Sequence, residues 1–183
     1  MKRLLLGVIL LSMGLMLCAC NSKLDDADAN TILVNKKGKI VEAAVEEFQD
    51  GFDSKDIKKY VKESITTYND EYGKRISLKS FKEKDGVVKA IIEYDSVEDY
   101  NTFNMKSYEW GEVKDIDLQG AFIDIDGKEY DVANIEDGYK VLKVDSPTCI
   151  KISGKVVSYT DNLLFEDDIY TCPEGETAYI IVN

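Results

Sequence analysis

Only one stretch of the chain sustains a helical apolar period, and that restriction constrains the fold class more than any other feature. Between Asp53 and Gly73, Ile57, Tyr60, Val61, Ile65, Tyr68 and Tyr72 recur at intervals of three and four residues, which places them along one side of a helix. Asp53 or Ser54 can cap its first turn and Gly73 can end its last. From Lys106 onward the apolar residues come only in short runs: 106–111, 120–125, 128–132, 139–144, 148–152, 155–160 and 178–182. Gly, Asp, Pro and Asn separate these runs, and such a pattern predicts antiparallel strands.

Upstream of the helix, Thr31–Asn35 is strand-like and Lys36-Lys37-Gly38 supplies turn chemistry. The segment from Lys39 to Phe48 fits two periods. Val41, Ala43 and Val45 alternate as in a strand, while Ile40, Val41, Ala44, Val45 and Phe48 fit a helical face. A Lys-Gly turn directly after a β-branched run favours the hairpin. A second hairpin is predicted over 76–81 and 87–94, where Asp85-Gly86 divides two alternating segments. Ser96, with an acid three residues on at Asp99, marks the start of a short helix to about Asn104. The expectation is an α+β fold: N-terminal hairpins packed with one long and one short helix, then an all-antiparallel β half, sandwich or barrel-like. One domain would span 31–183, with a mixed part at 31–104 and a β-rich part at 105–183. No repeat at a fixed period is present.

Composition removes whole classes of function. The 183 residues include no histidine, so Ser-His-Asp and Cys-His nucleophile pairs and His-ligated zinc are excluded. Only Arg3 and Arg75 are arginines, which argues against bidentate clamps on phosphate or carboxylate. A formal charge of −12 excludes a nucleic-acid partner, whose phosphates must be met by clustered Lys and Arg.

The N-terminus is an address. Met1-Lys2-Arg3 precedes an apolar run from Leu4 to Leu17, too short for a spanning helix of about 20 residues and proportioned like a secretory signal. Its end, Leu17-Cys18-Ala19-Cys20, resembles the lipobox of bacterial lipoprotein precursors, with cleavage between Ala19 and Cys20. The resemblance implies a signal peptide over 1–19, a thioether-linked diacylglycerol on Cys20 as the sole covalent group, palmitate-type acylation, and anchoring on the outer, extracytoplasmic face of the cell membrane. The remaining domain is similar in texture to small uncharacterised lipoproteins of clostridial-type bacteria, a resemblance that transfers no functional residue beyond Cys20. Removal of 1–19 takes away Lys2 and Arg3 and no acid, leaving 164 residues with a charge of −14. Residues 21–30 have no periodicity and are expected to form, with Cys20, a polar tether over 20–30.

Candidate sites are few. Asp124 and Asp126, beside Gly127, invite a weak calcium site, but an EF-hand needs a glutamate where Ala133 stands, and the hairpin turn Asp126-Gly127 is the better explanation. No other metal site is expected. Glu166-Asp167-Asp168 is expected to be a solvated loop. Cys149 and Cys172 are either a disulfide, permitted outside the cytoplasm, or two free thiols. Tyr94, Tyr100, Tyr108 and Trp110 fall close enough together to form a ligand platform for a sugar ring, although buried aromatics usually build domain cores. Paired carboxylates are the acid-base chemistry that survives without histidine, yet no nucleophile elbow, phosphate loop or zinc spacing is present.

The expected function is therefore a non-enzymatic, lipid-anchored binding or envelope-interaction domain without cofactor. An alternative is an accessory module that captures a carbohydrate or peptide for a membrane transporter, and a carboxylate-pair hydrolase is a third reading. Expected partners are the membrane, through the lipid, and an envelope protein, peptide or glycan.

Overall fold

A computed structural model describes residues 24–47, 53–135 and 137–183. Ala19, Cys20 and the expected signal segment over 1–19 lie outside the described residues. The fold is α+β, with two α-helices and twelve strands among the described residues. The strands are β1 (Thr31–Asn35), β2 (Ile40–Glu47), β3 (Ile76–Lys84), β4 (Val87–Tyr94), β5 (Glu109–Glu112), β6 (Phe122–Asp124), β7 (Lys140–Val144), β8 (Thr148–Ser153), β9 (Val156–Thr160), β10 (Leu164–Glu166), β11 (Ile169–Cys172) and β12 (Ala178–Val182). The helices are α1 (Ser54–Tyr72) and α2 (Val97–Asn104).

Seven strands form one sheet in the order β10-β11-β8-β1-β2-β4-β3, and five form a second in the order β5-β7-β12-β9-β6. Both predicted hairpins are present, β1 with β2 and β3 with β4. Asp85 and Gly86 both have positive φ, at 54° and 81°, the geometry that a two-residue hairpin loop requires. Within the second half all pairs are antiparallel. The exception to antiparallel order joins the halves, because β1 runs parallel to β8, with Ile32 opposite Ile150.

The strands of the second half do not stay together. From β7 the chain steps to the seven-stranded sheet at β8, back at β9, across again for β10 and β11, and returns for β12. Gly154 sits at the β8–β9 step, where an added Cβ would lie 2.8 Å from Val182 Cγ1. The crossing therefore needs a residue without a side chain.

The main core lies between the layers. Ile32, Val34, Ile40, Ile92 and Ile150 of the larger sheet meet Leu142, Val144 and Ile180 of the smaller one. Ile180 and Ile181 are both fully buried although they point to opposite faces of β12. The outer face of the smaller sheet is in turn covered by residues such as Val113, Ile116, Val132 and Ile135. A strand buried on both faces reads as a continuous apolar run, which is what Ala178–Val182 is.

Three expectations are corrected and one is made more specific. The apolar stripe of α1 is narrower than its period suggests: Ile65 and Tyr68 are buried, but Tyr60 is 71% and Tyr72 48% exposed, because the helix packs mainly on the edge strand β3. Residues 128–132 form no strand, since pairing stops at the single bridge Ile123–Glu129 and a 3-10 turn follows over Val132–Asn134. Glu166-Asp167-Asp168 is solvated as expected, and it forms the tip of the β10–β11 hairpin, with Asp167 and Asp168 at φ 50° and 63°, a conformation aspartate tolerates. Finally, residues 24–30, expected to belong to a free polar tether, are docked on the body. Leu24 is 1% exposed against Leu33, Val41, Ala43 and Ile91 on the outer face of the larger sheet, and the Asn30 side chain accepts from Val45 N at 2.7 Å.

Candidate functional site

The aromatic residues singled out in sequence do meet, at the junction of α2 with β4 and β5. Ser96 caps α2, accepting from Asp99 N at 3.1 Å and donating to Asp99 Oδ2 at 2.7 Å, while Tyr68 of α1 donates to Asp99 Oδ1 at 3.0 Å. This docking turns Tyr100 inward, edge-on to Tyr94 at 5.1 Å and stacked on Tyr108 at 5.6 Å. Tyr94, Tyr100 and Tyr108 are buried, so three of the four expected platform residues are core. Trp110 is half-buried and, with Tyr108, lines a 420 Å³ cleft. Its ring covers Gly38, where a Cβ would meet Trp110 Cδ1 at 2.5 Å.

Beneath this cluster lies a carboxylate that the sequence did not single out. Register places Glu42 between Ile32 and Ile92, on the core face of β2. Tyr94 donates to Glu42 Oε2 at 2.6 Å, and Asn104 Nδ2 donates to the Tyr94 oxygen at 3.1 Å. Burial pushes the Glu42 carboxyl up from 4.5, opposed by the Tyr94 hydrogen bond and the charge of Lys106. Burial also raises Tyr94 and Tyr100, with the Glu42 charge adding to both. The arrangement encloses the carboxyl and gives it and its neighbours hydrogen-bond partners, as buried polar networks must.

An accessible site lies at the other end of the larger sheet. Where β8 leaves one sheet and β9 joins the other, the layers part and leave a groove of 680 Å³, within the range of ligand pockets, about 300–1,000 Å³. Ile152 and Val156 line it from the inter-sheet side and Leu33 from the outer face of the larger sheet, and Phe165 and Tyr170 form a wall. Their rings stack at 4.6 Å, with Tyr159 edge-on to Tyr170 at 5.0 Å. Phe165 is 41% and the neighbouring Ile125 57% exposed. Burial pushes Tyr170 up to about 12, so it stays a neutral hydroxyl at the groove. Lys151 and Lys155 flank the opening with Asp168. Neither lysine has an ion-pair partner among the described residues, although the chain carries 35 acids.

The remaining candidates are assigned to structure. Asp124 Oδ1 accepts from Asp126 N and Lys128 N, both at 2.9 Å, and so is spent on the turn. Among the described residues no three His, Cys, Asp or Glu side chains converge to hold a metal. Cys149 and Cys172 are both free thiols, which corrects the bridged alternative. Cys149 stands opposite Thr171 and Cys172 opposite Thr148 on paired strands, so the two side chains leave the sheet on opposite faces and cannot join. Cys172 is buried and its thiol is pushed up to about 11, chiefly by burial. Among the described residues no helix is long and apolar enough to cross a membrane.

Comparison with protein families, with characterised proteins and with solved structures returns no match to this chain.

Proposed function

We propose that the chain is a lipid-anchored, non-enzymatic binding domain on the outer face of the cell membrane, and that the groove between β8–β9 and β10–β11 takes a ligand with an anionic group and an apolar or ring-shaped body. One observation carries this reading: two lysines without acidic partners stand beside an exposed aromatic wall in a chain of net charge −12. Cations placed beside an aromatic ring and apolar side chains in one groove can pair with a ligand's anionic group while its body rests on the apolar lining. The phenyl face of Phe165 suits the C–H face of a sugar or an apolar side chain, which keeps the carbohydrate- or peptide-capturing role for a transporter as the closest alternative. A binding role also fits the lining, where Asp168 is the single carboxylate, whereas histidine-free acid-base catalysis uses two.

The anchor rests on the lipobox residues, and a fatty-acid analogue should label the wild-type chain but not Cys20→Ala. Label surviving that substitution would remove the anchor. For the groove, thermal shift against uronic-acid oligosaccharides and short peptides with a free C-terminal carboxylate is decisive. A ligand at 100 times its dissociation constant adds about 2.7 kcal/mol, and the gain should vanish in the Lys151→Glu/Lys155→Glu variant. A shift of equal size in that variant would place binding elsewhere.

A further inference from the structure

The lipid anchor and the docking of residues 24–30 together set an orientation. Resting on the anchored reading, we infer that the outer face of the seven-stranded sheet, at its β10–β11–β8 end, lies against the bilayer surface. Leu24 is buried on that face. Asp25 is held beside it, its carbonyl accepting from Lys89 at 2.8 Å and its carboxylate from Lys82 at 3.4 Å. Only residues 21–23 separate Leu24 from Cys20. Four Cα steps span at most about 14 Å in any conformation. Stacked sheets lie about 10 Å apart, and the smaller sheet carries a further layer on its far side. A tether this short can bring the outer face of the larger sheet to the headgroups, but not the opposite side of the molecule.

The chemistry of that face fits a lipid surface. Segment 24–30 covers β1, β2 and β4 and leaves the β8, β11 and β10 part bare. Register sets Lys151, Cys149, Thr171 and Leu164 on the same side as Leu33. Leu164, on the sheet edge, is 68% exposed. Along these positions the charges are Lys151 and Glu166, which cancel, while Asp167 and Asp168 at the hairpin tip and the aspartates of segment 24–30 stand close by, so the face suits a zwitterionic headgroup layer rather than an anionic one. An exposed leucine beside an uncharged, hydroxyl- and thiol-bearing strip suits the interfacial zone. The acylated domain lies down on the bilayer, and the Lys151 side of the groove opens along its surface.

The test uses the full chain processed in a lipoprotein-making bacterium and reconstituted in vesicles of brominated phosphatidylcholine. Leu164→Trp and Met105→Trp each add one emitter to the constant background of Trp110; Met105 is 93% exposed at the end of α2, on the other layer. Bromolipid should quench the emission added at 164 severalfold more than that added at 105. Equal quenching at the two positions on vesicle-bound protein would overturn the orientation. Protection of position 164 from both bromolipid and aqueous acrylamide, with the mass of a dimer, would assign the face to a second copy and overturn it as well. Failure of the wild-type chain to take acyl label or to float with vesicles is a separate result, and it would strike the anchor itself.

Discussion

The two ends of the inner face of the seven-stranded sheet solve the same burial problem differently. At the β2–β4–β3 end the cover is helical, and polar groups go inside with it. Glu42, Tyr94, Asn104, Asp99, Tyr68 and Ser96 are each given a hydrogen-bond partner. At the β1–β8–β11 end the cover is a second sheet, the interior is aliphatic and aromatic, and the charged groups left at the margin are Lys151, Lys155 and Asp168, with no ion pair among them. A network whose members satisfy one another has nothing left for a ligand. An apolar groove flanked by unpaired charge does, and the contrast locates binding where the sheets part rather than where the polar residues are most numerous.

Several measurements would break or sharpen that contrast. Tyr94→Ala should cost the most, about 3–5 kcal/mol, in denaturant unfolding, as expected for emptying a large buried aromatic site. Tyr94→Phe keeps the ring and leaves Glu42 without its donor, for a smaller loss of about 1–3 kcal/mol. If Tyr94→Phe is neutral, the network at the helical end is not tight. Gly38→Ala forces a Cβ into Trp110 at φ +75° and should destabilise by about 1–3 kcal/mol with a change in tryptophan emission; unchanged emission would mean that the indole does not sit on this turn.

Glu42 gives a pH signature. Its folded pKa is raised above the ordinary 4.5, so the folded chain retains a proton that the unfolded chain releases. The resulting stability is full below the ordinary value and is lost as pH rises through the raised one. Glu42→Gln keeps an acceptor for Tyr94 and removes the titration, so its stability curve should be flatter than wild type toward neutrality. Parallel curves would show that the carboxyl is solvated. At the other end, Lys151→Glu/Lys155→Glu should alter stability by no more than about 0.5 kcal/mol, because neither lysine holds the fold. A large loss there would make the groove structural. Smallest of all, alkylation without reductant should leave Cys172 unlabelled in the folded chain and label both Cys149 and Cys172 after unfolding; a single or absent label after unfolding would contradict the two free thiols.

How much of this was legible depends on how local the cause was. The 53–73 helix, the Asp85-Gly86 turn and the Ser96 cap are determined by residues within one turn of each other, and all three are where the sequence places them. The β10–β11 hairpin was missed because its tip uses Asp167-Asp168 in place of an Asn-Gly or Asp-Gly pair. Tyr60 and Tyr72 were misplaced because a helical period does not say how wide a face the partner covers. Of the candidate site little was legible. Phe165 and Lys151 come from two strands of the larger sheet and Lys155 from the β8–β9 connection, and none stands beside another in sequence.

Sequence was enough for the class: one sustained helical period, short β-type runs, no histidine and a strong negative charge confine the chain to an acidic α+β domain. Tertiary structure alone decided which of those runs share a sheet. The step from β8 to β9 between layers, the parallel pairing of β1 with β8, and the opposite facing of Cys149 and Cys172 follow from how two twisted layers close over one core. A run of alternating residues specifies that it has a buried face, but which partner supplies the cover is settled only when the whole chain is packed.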